Sequence, residues 1–284
     1  MTLTWFITGA SSGLGLALAK TALAKGDKVI GTSRESSRLA EIVSQGAIPL
    51  TFNSSDSPQV INSIISDVFK KHGPIDVVVN NAGYGEIGIF EEIDYPTIEN
   101  QYQVNVFAPI KVLQGFLPYL RSQKSGLIIN VGSVAAFGSD PISGIYGSTK
   151  AAIKKLSASI DSEVKEFGIR VIVVEPGPFR TPIVKNYSEQ GVFKDRSTIK
   201  DYDESRKMVD MFFSHINQAS GDPNRFGKAL VKLAHREEEF KESIPCVLAL
   251  GEYTYERKNG VFADELEEMK KYKNVTFSTD NPDM

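Results

Sequence analysis

Short runs of consecutive apolar residues alternate along the first 175 positions with longer stretches whose apolar residues recur every three to four. The runs fall at residues 3–8, 28–32, 47–52, 75–79, 127–131 and 170–174 and are rich in Val and Ile. Consecutive rather than alternating apolar positions are expected of strands covered on both faces. The stretches between them are long enough for crossover helices, so the pattern predicts βαβ units and a parallel, doubly wound sheet. Residues 246–250 offer a seventh strand.

Several helix boundaries are also legible. Lys70-Lys71-His72-Gly73 places cations in a last turn with a glycine just beyond, which reads as a helix stop. The longest apolar-periodic helix begins at Ile145, with Ile153, Leu156, Ile160 and Val164 as its buried stripe. After Pro176 the rhythm changes. Residues 178–220 carry little strand signal, while Met208, Val209, Met211, Phe212 and Ile216 share one helical face. Asp222-Pro223 opens a further amphipathic helix, an acceptor at the N-cap before proline at the first helical position. A charged helix is expected near residues 264–272. The chain shows no internal repeat, low-complexity tract or linker.

Composition narrows the class. The 284 residues are 41% hydrophobic and 24% charged, the balance of a folded globular protein. A net charge of −3 argues against nucleic acid as a main partner, which needs concentrated Lys and Arg. The single cysteine, Cys246, excludes an intramolecular disulfide and fits a reducing compartment. Its apolar neighbours favour a buried structural thiol. His72 is explained by a helix end, and His215 and His235 lack a second ligand at metal spacing, so no metal site is expected. No apolar stretch approaches a membrane span, and the first residues lack a charged signal region, so a cytoplasmic protein with no membrane partner is expected.

The first strand runs into Thr8-Gly9-Ala10-Ser11-Ser12-Gly13-Leu14-Gly15, followed by a helical pattern. The glycines permit a sharp turn and close approach of backbone to a ligand. The helix start presents free N–H groups and a positive dipole end, which suits a pyrophosphate held by Gly9, Ser11, Ser12, Gly13, Leu14 and Gly15. The competing reading is an ordinary turn and helix start. The second strand ends in Gly31-Thr32-Ser33-Arg34, with Arg38 a turn later and no carboxylate at the strand end. An acidic residue there would favour NAD through the ribose 2′-hydroxyl, whereas arginine accommodates the 2′-phosphate of NADP. Ser33, Arg34 and Arg38 therefore predict NADP(H), against the alternative that Arg34 is a solvated surface charge.

Tyr146 and Lys150 lie four apart, on one face of the helix that starts at Ile145. A phenol is a poor base at neutral pH until a neighbouring ammonium stabilises the phenolate, and such a pair can exchange a proton with an alcohol or ketone. Ser133 follows a strand and so falls at the carboxyl edge of the sheet, where open α/β sheets bind ligands. Taken singly, each has an ordinary role: a half-buried tyrosine, a solvated lysine, a turn serine.

Together these residues resemble the short-chain dehydrogenases/reductases of the classical type. The matches are Thr8-Gly9-x-x-x-Gly13-x-Gly15, Asn80-Asn81-Ala82-Gly83, Asn105, Ser133, Tyr146-x-x-x-Lys150 and Pro176-Gly177 with Thr181, in order over about residues 3–181. The resemblance implies a Rossmann-type, three-layer α/β/α fold of about seven strands. It implies Tyr146 as general acid in reduction, Ser133 holding the substrate oxygen, and Lys150 lowering the tyrosine pKa and binding the nicotinamide ribose. Asn105 would hold a water in a relay from Lys150. Asn81, Ala82 and Gly83 would flank the cofactor, as would Pro176 and Gly177, with Thr181 on its carboxamide. The third strand ends in Asn53-Ser54 where the family often has an aspartate for the adenine amino group, and the Asn53 carbonyl is expected to accept that bond more weakly. The phrase from Glu175 to Thr181 and the tail look like the carbonyl-reductase branch that includes hydroxysteroid-dehydrogenase-like enzymes. Related proteins are often dimers or tetramers through the helix bearing Tyr146, so a homodimer or homotetramer is an expectation here.

The expected organisation is one domain over residues 1–284, with a substrate lid at 178–220 and a tail at 251–284. Tyr84, Val134, Phe137, Phe179, Met211, Phe212 and Phe213 are candidate apolar walls, although residues 208–216 read equally as ordinary helix core. Such walls favour ketones or aldehydes of some bulk over small hydroxy acids. Two other classes compete: an NADP-binding sensor without turnover, for which a proton relay has no use, and a Ser133/Lys150 hydrolase, which leaves the glycine loop and Tyr146 unexplained.

Overall fold

The computed structural model describes residues 1–53, 55–181 and 199–280, apart from the side chains of Asp210, Phe213, His215, Ile216 and Asn217. Seven parallel strands form one sheet in the order β3-β2-β1-β4-β5-β6-β7. They are β1 (Thr4–Ile7), β2 (Lys28–Ser33), β3 (Ile48–Thr51), β4 (Val77–Asn80), β5 (Gly126–Val131), β6 (Ile169–Pro176) and β7 (Val247–Leu250). The helices that matter here are α1 (Gly13–Lys25), α2 (Pro58–His72), α3 (Tyr95–Tyr102), α4 (Ala108–Gln123), α5 (Gly144–Val164), α6 (Asp203–Asn217), α7 (Pro223–Ala234), α8 (Glu252–Lys271) and α9 (Lys273–Phe277). This is the doubly wound α/β arrangement that the apolar runs predict.

Consecutive apolar residues in a strand feed both faces of the sheet, and two cores result. Trp5 and Ile7 of β1 pack with Leu18 and Ala22 of α1 and with Phe226 and Leu230 of α7. Phe6, between them in sequence, joins Ile61 and Ile65 of α2, Phe116 of α4 and Val164 of α5 on the other face. The edge strand β3 departs from the expectation of cover on both faces. Pro49 and Thr51 of β3 are exposed, and β7 is half-buried throughout. Pro49 is tolerated because an edge strand need not donate on its outer side.

Other expectations need correction. The buried stripe of α5 is Thr149, Lys150, Ile153, Ser157, Asp161 and Val164, while Leu156 and Ile160 are only half-buried. Polar side chains occupy that stripe because each has a partner. Ser157 donates to the Ile153 carbonyl and accepts from Asn130 at 2.8 Å, and Asn130 in turn accepts from Asn80, also at 2.8 Å. This chain of amides and a hydroxyl links β4, β5 and α5 in the interior. Cys246 is exposed, not buried. It precedes β7 at the sheet edge, with Sγ 3.4 Å from the Asp161 carboxylate that grips Arg170. The tail helix begins at Glu252, well before residue 264, because Gly251 at φ +101° turns the chain out of β7 directly into it.

Boundary signals hold in detail. His72 ends α2 before Gly73, and the Asp222 side chain caps α7 by accepting from Asn224 N. His235 Nε2 lies 2.8 Å from Asp27 Oδ2, which also accepts from Trp5 Nε1. His215 lies outside the described side chains. Among the described residues no helix is long and apolar enough to cross a membrane, and no cluster of three His, Cys, Asp or Glu is placed to hold a metal ion.

Candidate active site

The loops leaving the carboxyl ends of β1, β2, β4, β5 and β6 enclose a single continuous cleft of about 1520 Å³. It lies where the strand order reverses between β1 and β4, the position at which open α/β sheets bind ligands. That volume exceeds the ~300–1,000 Å³ of an ordinary ligand pocket. It has room for a dinucleotide together with a second molecule.

One end is built from the glycine turn. Gly9 (φ +66°) and Gly13 (φ +57°) hold left-handed conformations that disfavour any other residue. Gly15 lies against the turn itself, since a Cβ there would stand 2.5 Å from the Gly9 carbonyl oxygen. Ser12 occupies the N-cap of α1 without a side-chain cap bond, which leaves the first-turn amides for a ligand. Asn81 and Ala82 do more than flank this loop. The Thr8 hydroxyl accepts from both their backbone amides, at 2.9 and 3.0 Å, and Asn81 Nδ2 donates to the Thr8 and Gly9 carbonyls. The Asn81 side chain therefore staples the turn. Ser11, Ser12, Gly13, Leu14, Asn81, Ala82, Gly83, Pro176, Gly177 and Thr181 all line the cleft.

Ser33, Arg34 and Arg38 line its outer end. Both guanidinium groups are exposed, and neither has a carboxylate partner among the described residues. Ser33 is buried beneath them, and its Oγ accepts from Glu35 N. This set of donors fits a phosphate on the adenine ribose. Asn53 lines the cleft too, but its amide is committed to its own loop: Nδ2 donates to Asp56 at 3.0 Å and Oδ1 accepts from Ser55 N at 3.2 Å. An adenine amino group would have to share that oxygen. Ser54 lies outside the described residues.

At the inner end α5 brings Tyr146 and Lys150 onto the wall beside Ser133. The Ser133 hydroxyl accepts from Ala135 N at 3.1 Å, and it lies close enough to the Tyr146 phenol to favour its ionised form. Lys150 Nζ donates to the Val131 carbonyl at 2.8 Å and lies 5.8 Å from the centre of the Tyr146 ring. Burial pulls the Lys150 pKa down from 10.5 to about 8. It also raises the Tyr146 phenol, with Ser133 opposing but not cancelling the rise.

Asn105 is not on the cleft wall. It sits in a π-helical turn, Gln103–Phe107, between α3 and α4. Its Oδ1 accepts from Tyr84 N at 3.2 Å, and its Nδ2 donates to the Tyr84 carbonyl at 2.8 Å and to Thr149. The side chain anchors Tyr84 and α5 from beneath.

Of the expected apolar walls, Tyr84, Val134, Phe179, Met211 and Phe212 line the cleft. Phe137 does not. It is turned into a buried cluster under the Lys154 and Lys258 ammonium groups, against Phe262. Its neighbour Gly138, at φ +73°, redirects the chain at that point. Phe213 lies outside the described side chains, as does most of the expected lid. Helix α6 is tied to the Phe90–Glu92 turn by Arg206 with Glu92, and the turn just before it by Tyr202 with Glu91. Ile87, Ile142 and Tyr253 also line the cleft and were not legible from local pattern. Tyr253 comes from the start of α8, and nothing in its own segment marks it.

Comparison with known proteins agrees with this arrangement. The short chain dehydrogenase family model matches residues 4–191. Oxidoreductase BOA17 of Botryotinia fuckeliana is 40% identical over 185 residues, covering 64% of this chain and 67% of that protein. The 3-ketodihydrosphingosine reductase of Bacteroides thetaiotaomicron is 31% identical over 231 residues, covering 81% and 83%. A crystal structure of a short-chain dehydrogenase from Streptomyces avermitilis superposes with a TM-score of 0.85 at 31% identity, covering 99% of each chain. A single-residue variant of ElxO with NADPH bound is 25% identical with a TM-score of 0.70, covering 88% of this chain and 97% of that one. Proteins of this family are oxidoreductases that act on small molecules and commonly form oligomers. By the extent of the match and the shared fold, this chain belongs to the short-chain dehydrogenase/reductase family.

Proposed function

We propose that the protein is an NADP-dependent reductase of ketones or aldehydes of some bulk, with Tyr146 as the proton donor. The observation that carries this reading is the placement of Ser133, Tyr146 and Lys150 on the inner wall of the cleft that begins at the glycine turn and Arg34. The glycine turn and the first amides of α1 would hold the pyrophosphate, Ser33, Arg34 and Arg38 the 2′-phosphate, and Thr181 the carboxamide. The cofactor, when bound, supplies the hydride.

The chain's own groups do the rest. The Ser133 hydroxyl, oriented by Ala135 N, donates to the carbonyl oxygen of the substrate. Tyr146 gives its proton to that oxygen as negative charge develops there. Lys150, next to the phenol and hydrogen-bonded to Val131, supplies positive charge to the phenolate left behind and binds the nicotinamide ribose. The Tyr146 phenol is protonated at neutral pH, as a proton donor in reduction must be. Asn105 supports this set by holding Tyr84 and Thr149.

The substrate end is walled by Tyr84, Val134, Phe179, Met211 and Phe212, which favours carbonyls carrying apolar bulk. The reading places the chain with the carbonyl-reductase branch of the family, as one domain with residues 178–220 as the substrate lid. A similar protein of Bacteroides thetaiotaomicron, the 3-ketodihydrosphingosine reductase, acts on a ketone, in keeping with it. The test is NADPH consumption, with NADH in parallel, against a panel of ketones, aldehydes and quinones. Turnover of at least one bulky ketone or aldehyde, faster with NADPH, is the expected result. NADPH binding with no oxidation across the panel would instead favour a nucleotide sensor.

A further inference from the structure

The family match ends at residue 191, yet the chain beyond β7 returns to the cleft. Helix α8 is seated on the segment that joins Ser133 to Tyr146. Arg257 Nη2 donates to Asp140 Oδ1 at 2.5 Å. Lys258 Nζ reaches Glu175 Oε2 at 2.5 Å and lies over the Phe137 ring, 5.4 Å from its centre. At Gly138 the helix meets the backbone, since a Cβ there would stand 3.0 Å from Val261 Cγ2 and 3.3 Å from Arg257 Nη2.

From Asp140 the chain turns inward, and Asp140, Pro141, Ile142 and Ser143 all line the cleft just before Tyr146. Ile142 is held at φ 20°, a conformation that a β-branched residue adopts only under constraint. Its carbonyl accepts from Gly88 N at 2.9 Å, which fixes one side of the loop. The Arg257–Asp140 pair fixes the other.

We propose that Arg257 is a positioning residue for the carbonyl substrate, holding the wall 140–143 in place through Asp140. This rests on the reductase reading given above. The pair is partly exposed, with side-chain exposures of 26% and 39%, and such pairs contribute little to global stability. Removing it should therefore loosen the wall without unfolding the protein. The glycine turn, Arg34 and Arg38 lie at the other end of the cleft, so nucleotide affinity should not change.

The test combines kinetics with hydrogen exchange on the full chain, using Arg257→Met, Asp140→Asn and the charge swap Arg257→Asp with Asp140→Arg. Each single variant is expected to raise KM for the best carbonyl of the panel about five- to tenfold. NADPH Kd should stay within about twofold and kcat should change less than KM. The swap should recover part of the loss. Amide exchange over residues 138–146 should quicken in Arg257→Met, while exchange over residues 8–16 stays as in the wild type. Unchanged exchange over 138–146 overturns the proposal whatever the kinetics, as does a fall in kcat at constant KM. Faster exchange there in a protein that oxidises NADPH with no carbonyl would uphold the positioning contact while refuting the reductase reading.

Discussion

The residues that define the site are under opposing demands, and Lys150 shows this most clearly. The residue is 6% exposed, and its ammonium donates to the Val131 carbonyl. Burial brings its pKa down to about 8 from 10.5. Below about pH 8 the native and unfolded chains both carry the proton, and the native state bears the full cost of the buried charge. Between about 8 and 10.5 the unfolded chain keeps a proton that the native chain has released, so stability rises with pH across that window. We therefore predict that Lys150→Met, inactive as an enzyme, is more stable than the wild type near neutral pH. Without added nucleotide, its advantage should shrink by about 3 kcal/mol as the pH is raised toward 10.5. Urea denaturation of both proteins across that range measures it, and a constant difference would contradict it. Nothing in the sequence foretold that the tyrosine pKa would rise. The four-residue spacing shows that the two groups share a helix face, but the extent of their desolvation depends on β5 and the cleft walls.

At the scale of elements, the glycine turn and the strand end that follows β2 carry the cofactor argument. Arg34 and Arg38 are exposed guanidinium groups without a carboxylate partner among the described residues, so a 2′-phosphate would gain charge-assisted bonds without breaking others. Arg34→Ala combined with Arg38→Ala should weaken NADPH binding tenfold or more and leave NADH binding within about twofold, as read by fluorescence titration. Equal losses for both nucleotides would remove the 2′-phosphate assignment. Packing of α1 against α7 gives a separate test. A Cβ at Gly227 would stand 2.5 Å from Thr21 Oγ1 and 3.0 Å from the Ala17 carbonyl oxygen. Gly227→Ala should then cost about 1–3 kcal/mol through overpacking, seen as a lowered Tm. A Tm equal to the wild type would show that α1 and α7 are free to separate.

Element by element, the strands were legible because a buried parallel strand must be apolar on both sides, a pattern that needs no tertiary knowledge. Both edge strands were read in place, but β3 was credited with cover that only the interior strands have. Strand order is invisible in such a pattern, so an edge cannot be told from the centre. The helix stop at Gly73 and the start at Asp222-Pro223 were legible because caps act within a few residues. The amide chain from Asn80 through Asn130 to Ser157 was not, since its members are far apart in sequence and each alone looks like a polar residue out of place.

At the scale of the whole molecule, Ser133, Tyr146, Lys150 and the glycine turn were found in the sequence because their chemistry restricts residue type and spacing. The apolar walls were legible only in part: Tyr84, Val134, Phe179, Met211 and Phe212 line the cleft as expected, and other lining residues had no signal. Phe137, expected on the wall, is held under Lys154 and Lys258, while Tyr253 and Ile142 reach the cleft from segments with no local signature. Asn105, expected to hold a water in a relay from Lys150, has its side chain bonded to Tyr84 and Thr149 and does not line the cleft. The residues proposed for the chemistry thus lie near the sheet, while loops and the start of α8 supply cleft residues through long-range contacts.

The central claim is that Tyr146 delivers the proton while other groups hold the nucleotide. It is tested most directly by measuring Tyr146→Phe beside the wild type, with NADPH oxidation on the best ketone of the panel and NADPH affinity determined on the same preparations. The account predicts a fall in turnover of about 10²- to 10⁴-fold with NADPH Kd within about twofold of the wild type. A variant that keeps most of the wild-type rate would contradict it.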